Sequence, residues 1–154
     1  MKLTAKSRYA VTALLDLALH GKDERVTLMA IADRQVISLS YLEQLFSRLR
    51  KAGLVRGIRG PGGGYVLAKS VDNITIAAII EGVNEPLSVR ECDGEENCFQ
   101  GNPCLAHDLW TDLDHEIFRY LNGMTLGDIL AQKESVKARQ TTESVITFTK
   151  SVKS

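Results

Sequence analysis

Three cysteines and one histidine are the residues of this 154-residue chain best suited to chemistry, and they follow one another as Cys92-x5-Cys98-x5-Cys104-x2-His107. Three thiolates and an imidazole make a complete four-ligand set for a soft or borderline metal centre. The cysteine count is odd and all three fall between Cys92 and Cys104, which does not allow a full set of internal disulfides. In a reducing compartment such a cluster points to metal or redox chemistry. Structural zinc takes the same ligand types, usually through tighter Cys knuckles, whereas wider gaps suit an iron–sulfur centre. Spacing by itself leaves both open. His107 follows Cys104 by three residues, a separation that puts two helical side chains on one face. His20 and His115 have no such neighbours and are assigned no role.

The segments around these ligands must position them. Residues 83–103 form a polar, acidic loop carrying Cys92 and Cys98, the cluster-binding loop of this reading. Asn102 and Pro103 then supply a cap and a first-turn proline for a helix. In that helix Leu105, Leu109, Leu113, Ile117 and Leu121 recur every four residues, with Trp110, Phe118 and Tyr120 nearby. So apolar a stripe is unsuited to solvent, and a small domain cannot cover it, so the helix is predicted to pack against its symmetry mate in a homodimer. Asn122-Gly123 ends it, and 125–130 reads as one more short helix, making 104–131 the dimerisation unit. Residues 132–154 are polar enough to predict a disordered tail.

Upstream, residues 9–20 place apolar side chains at helical spacing and stop at Gly21. Thr27 can cap a short helix over 28–35. After a break, Ser40-Tyr-Leu-Glu43 matches a capping box and predicts a helix over 41–51, with Leu42, Leu45, Phe46 and Leu49 as its buried stripe. Two short helices joined by a tight turn are a helix-turn-helix, here spanning about 28–51. Two apolar strands around Gly60-Pro-Gly-Gly-Gly, within 54–68, add a β-hairpin placed as a wing. A short helix over 74–81 stops at Gly82 and completes a DNA-binding domain over 1–82. The fold class predicted is therefore mainly α with a small β-wing: a winged helix-turn-helix domain plus a long dimerisation helix.

Charge agrees with this division. Residues 1–70 hold 12 Lys and Arg against 5 Asp and Glu, and 71–154 hold 7 against 14, so the net zero conceals a basic half and an acidic half. The basic half is suited to a polyanion. If the 41–51 helix enters a major groove, Ser38, Ser40, Tyr41, Glu43 and Gln44 face base edges; Gln can pair with adenine and Glu can accept from cytosine. The capping box would also account for Glu43. Arg48, Arg50 and Lys51 suit phosphates, although a solvated helix face carries such residues too. Arg59 at the wing tip suits a narrow minor groove. The glycine run lacks the Gly-Lys-Ser/Thr ending of a P-loop and joins two strands, which tells against a nucleotide site. With no Cys-x-x-Cys pair and no recognisable nucleophile–base set, no enzymatic activity is expected. Met1 to Tyr9 do not read as a signal peptide, and no apolar run approaches a membrane span, so a cytoplasmic protein without membrane partners is expected.

The segments beginning Met1-Lys-Leu-Thr-Ala-Lys-Ser-Arg-Tyr-Ala-Val, Ser38-Leu-Ser-Tyr-Leu-Glu-Gln-Leu-Phe-Ser-Arg and Arg59-Gly-Pro-Gly-Gly-Gly-Tyr, with the three cysteines and His107, resemble the Rrf2 family of transcription regulators. The resemblance covers residues 1 to about 131. It implies a dimer that binds palindromic double-stranded DNA and holds a [2Fe-2S] cluster on Cys92, Cys98, Cys104 and His107, received from a cluster-assembly scaffold. It further implies repression of cluster-assembly genes when the cluster is bound, and a changed choice of DNA sites, rather than abolished binding, when it is lost. Members that sense nitric oxide through a [4Fe-4S] cluster share the cysteines but lack a counterpart of His107, so this residue selects the [2Fe-2S] branch.

Overall fold

The computed structural model describes residues 3–22, 24–90, 92 and 95–152, with side chains through residue 140. Its first helix, α1 (Ala5–His20), starts four residues earlier than the apolar pattern suggests because the Thr4 hydroxyl accepts from the Lys6 amide and caps it. Gly21 closes its far end by donating to the Leu17 carbonyl. Helix α2 (Leu28–Gln35) has the predicted bounds, with Thr27 accepting from the Ala30 amide. It ends at Val36, which takes the left-handed conformation at φ 55° and makes the sharp turn.

Helix α3 (Leu39–Lys51) is capped by Ser38, whose hydroxyl accepts from the Tyr41 amide at 3.3 Å. The predicted Ser40–Glu43 box is therefore corrected: Ser40 lies in the first turn. Burial of Ile37 between the two helices fixes where the chain re-enters, and the extended backbone needed for a cap falls on Ser38. Leu42, Leu45, Phe46 and Leu49 are buried as expected. They meet Leu14 and Leu17 of α1, Ile31 of α2 and Ile79 of α4 (Ile76–Gly82) in one core.

The wing is an antiparallel pair, β1 (Val55–Ile58) and β2 (Gly64–Leu67), in register from Val55 opposite Leu67 to Ile58 opposite Gly64. Val26 joins its edge through two backbone bonds with Tyr65, at 3.0 and 2.8 Å. A Cβ at Gly64 would sit 2.6 Å from the Val26 carbonyl oxygen, so this strand contact requires glycine. The Tyr65 ring stacks edge-on against Phe46, 5.0 Å between centroids, and so anchors the wing to α3.

Beyond a 3-10 turn (Val71–Asn73) and α4 come α5 (His107–Gly123) and α6 (Leu126–Val152). Helix α5 begins later than predicted. Asn102 pairs its backbone with Phe99 instead of capping, and α5 starts at His107 with Ala106 at the cap position and no side-chain cap. Thr125 and Asp128 cap each other's amides at the start of α6, and Leu126 is fully buried in the core formed with α1 to α4. The expected short helix and disordered tail are instead one continuous helix to Val152. Residues 131–140 are exposed throughout but rich in Ala, Gln, Lys, Glu and Arg, so their polarity excludes a buried face without opposing helix formation.

Asp16, its side chain fully buried, locks α1 to α2 by accepting from Arg34 Nη2 at 2.6 Å and Gln35 Nε2 at 2.7 Å. Burial pushes this carboxyl upward, but the Arg34 and Gln35 hydrogen bonds and the Arg34 charge outweigh it and hold it below its ordinary 3.8. A depressed carboxyl adds stability above its unfolded value and loses it as pH falls through the folded one. Asp16→Asn is expected to lower unfolding free energy at neutral pH by about 2–3 kcal/mol. The deficit relative to wild type should shrink below the ordinary value of 3.8. Urea unfolding at neutral and acid pH checks this; a deficit that does not vary with pH contradicts it.

Candidate metal centre and nucleic-acid interface

The Sγ atoms of Cys92 and Cys98 and a ring nitrogen of His107 lie within 4.8 Å of one another. Cys92 and His107 are each 8% exposed, and Cys98 forms the solvent side. Cys98 Sγ is 3.5 Å from His107 Nδ1 and accepts from the Cys104 amide at 3.0 Å. The fourth sequence-predicted ligand, Cys104, thus adjoins the group through its backbone, while its thiol stands outside the three converging ligand atoms. The expectation that Cys104 and His107 share a helical face is corrected: Cys104 precedes α5 in the turn, its amide already committed to Cys98 and its carbonyl accepting from the His107 amide.

A buried carboxylate holds the loop against α5. Asp114, 5% exposed, accepts from the Val89 amide at 2.6 Å, the Ser88 hydroxyl at 2.8 Å and Arg90 Nε at 2.5 Å. Thr111, one turn above, donates to the His107 carbonyl and lies 3.4 Å from Arg90 Nη1. Burial raises the Asp114 carboxyl, yet the bonds from Val89, Ser88 and Arg90 and the Arg90 charge hold it below the usual carboxylate range. An ionised Asp114 therefore stitches residues 88–90, just ahead of Cys92, to the helix face that carries His107. The available signal was the polar series His107, Thr111 and Asp114, at spacings of four and three, on a helix otherwise marked by its apolar stripe.

Helix α5 is consequently inside-out. His107 and Asp114 are its buried residues, while Leu109 is 61% exposed, Phe118 41% and Leu113 39%. Ile117 is half-buried, Leu121 packs partly on the core, and Leu105 lies fully exposed in the turn before the helix.

Helix α3 exposes Ser40, Glu43, Gln44, Arg50 and Lys51, with Ser38 exposed just ahead of it. Tyr41 is half-buried, edge-on against Tyr9 at 5.8 Å. Arg59 is exposed at the wing, and an open cleft between wing and helix is lined by Glu43, Arg50, Arg56 and Arg59. Arg56 was not singled out from sequence, since a lone arginine in a strand carries no pattern. Arg25 braces the wing turn by donating to the Pro61 carbonyl at 3.2 Å. Arg48 behaves differently from its neighbours: half-buried, it donates to the Val83 carbonyl at 3.1 Å.

Among the described residues no helix is long and apolar enough to cross a membrane. The sequence profile of the Rrf2 family, iron-dependent transcriptional regulators, matches residues 3–132. The HTH-type transcriptional regulator IscR of Yersinia pseudotuberculosis is 53% identical over 134 residues, covering 87% of this chain and 82% of its own. The regulator of the same name from Pectobacterium atrosepticum is 51% identical over 146 residues, covering 94% and 89%. Among solved structures, T. potens IscR superposes with a TM-score of 0.73 at 35% identity over 88% of this chain and 90% of its own. CymR, the global cysteine regulator of B. subtilis, gives 0.72 at 35% identity over 86% and 98%. These relatives are regulators and not enzymes, and they share the mainly helical fold with its small two-stranded sheet. The chain belongs to the Rrf2 family and is a DNA-binding transcription regulator with a winged helix-turn-helix.

Proposed function

We propose that the protein is a homodimeric regulator of iron–sulfur cluster assembly genes, holding a [2Fe-2S] cluster on Cys92, Cys98, Cys104 and His107. It represses its target operon when the cluster is bound, and its choice among palindromic operators follows occupancy. A cluster-assembly scaffold is the proposed donor. The observation that carries this reading is the convergence of two thiols and an imidazole within 4.8 Å, with the third cysteine joined to them through its amide. The donor set fits the cluster chemically: soft sulfur ligands with one imidazole, and an amide N–H directed at a ligand sulfur, the kind of contact that tunes such sites.

When bound, the cluster supplies one-electron redox chemistry and visible absorption. Cys92 and His107 offer the enclosed ligands, Cys98 the exposed one and Cys104 a half-buried one. The Asp114 clasp ties residues 88–90, which lead into the cysteine loop, to the α5 face that carries His107. Ser38, Ser40, Tyr41, Glu43 and Gln44 would face base edges, Arg50 and Lys51 phosphates, and Arg59 the minor groove.

The test is anaerobic purification followed by visible absorption and iron and sulfide analysis. Iron and acid-labile sulfide in equal amounts, with a visible chromophore, are expected; colourless protein containing zinc, or no metal, overturns the reading. For the DNA face, Gln44→Ala is expected to cost about 1–3 kcal/mol at one base pair of each half-site and to relax preference there. Titration against single-base operator variants measures it, and equal losses at every position would remove Gln44 from base readout.

A further inference from the structure

Three consecutive residues where α4 passes into the cysteine loop are each held by a different side chain of the DNA-binding domain. The Val83 carbonyl accepts from Arg48 of the recognition helix at 3.1 Å. The Asn84 carbonyl accepts from Lys6 Nζ at 3.3 Å, and Asn84 itself reverses the chain in the left-handed region at φ 57°. The Glu85 carboxylate, on a residue only 8% exposed, accepts from the Thr4 hydroxyl and from the Ser7 amide. Pro86, with its fixed φ, and Leu87, packed on the core, then lead straight into the 88–90 stitch on Asp114. From Val83 to Arg90, carbonyl, carboxylate and clasp thus follow one another within eight positions.

We infer that Arg48 is a positioning residue that couples the recognition helix to the cysteine loop through the Val83 carbonyl, and is not a phosphate contact. The coupling rests on the occupancy-dependent operator choice proposed above. A guanidinium bound to a carbonyl that starts the loop cannot stay bound if the loop exit shifts without α3 shifting too. The buried Glu85 makes the exit resist independent movement, because displacing it would strand the Ser7 amide and a buried carboxylate. Loop rearrangement is therefore transmitted to the helix that reads bases.

The experiment uses the full-length dimer, cluster-loaded and cluster-free, with operators selected by each form of the wild type. Two readouts are taken for wild type, Arg48→Ala, Arg48→Lys, Glu85→Gln and Lys51→Ala: the salt dependence of affinity, and the ratio of operator preferences between loaded and free protein. Lys51→Ala should flatten the slope of log K against log salt by about 0.9 for each phosphate that is no longer neutralised. Arg48→Ala should keep the wild-type slope while its preference ratio falls by about fivefold or more. Arg48→Lys, which keeps a donor for the carbonyl, should retain part of the ratio. Glu85→Gln changes no DNA-facing residue and should lose the ratio at an unchanged slope, which keeps the inference testable should Arg48→Ala fail to fold. A slope change in Arg48→Ala matching that of Lys51→Ala overturns the inference, as does a wild-type ratio in both Arg48→Ala and Glu85→Gln. If wild type itself shows no preference ratio, the reading of function fails and the coupling with it, and the slopes decide separately whether Arg48 meets phosphate.

Discussion

Cys92→Ala is expected to purify colourless, with iron and sulfide at background, and to show the operator preference of cluster-free wild type. Cys92 is the enclosed thiol of the converging group. Its loss leaves Cys98 and His107 as the remaining converging ligand atoms, an incomplete set for the four-ligand centre proposed. Even an outer-shell partner of a metal ligand is worth about 10–100-fold in affinity, so removing a ligand should exceed that. Fold stability should change little, because the main core is built from helices α1 to α4 and the start of α6, and Cys92 is outside it. Iron and sulfide analysis beside circular dichroism and operator titration make the check. A variant with the wild-type iron content, or one that keeps the preference of the loaded protein, would remove Cys92 from the site.

The second large effect concerns the outward face of α5. The double substitution Leu109→Glu and Leu113→Glu is expected to give a monomer at micromolar concentration and to weaken binding to a palindromic operator by at least about 100-fold. Binding to an isolated half-site should be unaffected. The physical basis is the reversal of the helix: its buried groups are His107 and Asp114, while leucines, Trp110 and Phe118 meet solvent in one chain. Such a face is stable when a second copy covers it, and two carboxylates at its centre would be buried without partners. Cluster content should stay at the wild-type value, because the ligand-bearing face is the opposite one. Sedimentation and operator titration decide the matter; a variant that still sediments as a dimer would show that another surface joins the protomers.

The positions legible in the order of amino acids are those governed by local pattern. Thr27 with the residues it caps, the buried stripe of Leu42, Leu45, Phe46 and Leu49, and the glycine-rich wing turn follow from rules acting over a few residues. So do the ligand types, since three cysteines and a histidine within one short segment admit few chemistries.

Where several local rules compete, the sequence is less decisive. Ser38 and Ser40 are equally good caps by type, and burial of Ile37 chooses between them. Asn102-Pro103 has the composition of a helix start, but its backbone is used to close the loop against Phe99, which moves the helix to His107 and takes Cys104 off it. The polar stretch after Leu130 carries a compositional sign of disorder, yet the same residues are good helix formers, and α6 runs through them.

The amino-acid order settles which residues are apolar, which can ligate and which can cap, because those properties belong to side chains and to spacings within one or two turns. It takes the packed fold to settle which long polar side chain meets which distant group: Arg48 with Val83, Arg90 with Asp114, Glu85 with Ser7. These pairs stand 35, 24 and 78 residues apart. A charged side chain of several rotatable bonds has no periodic signature for its partner, so its role emerges only when the packing of the apolar faces has brought the partner within reach.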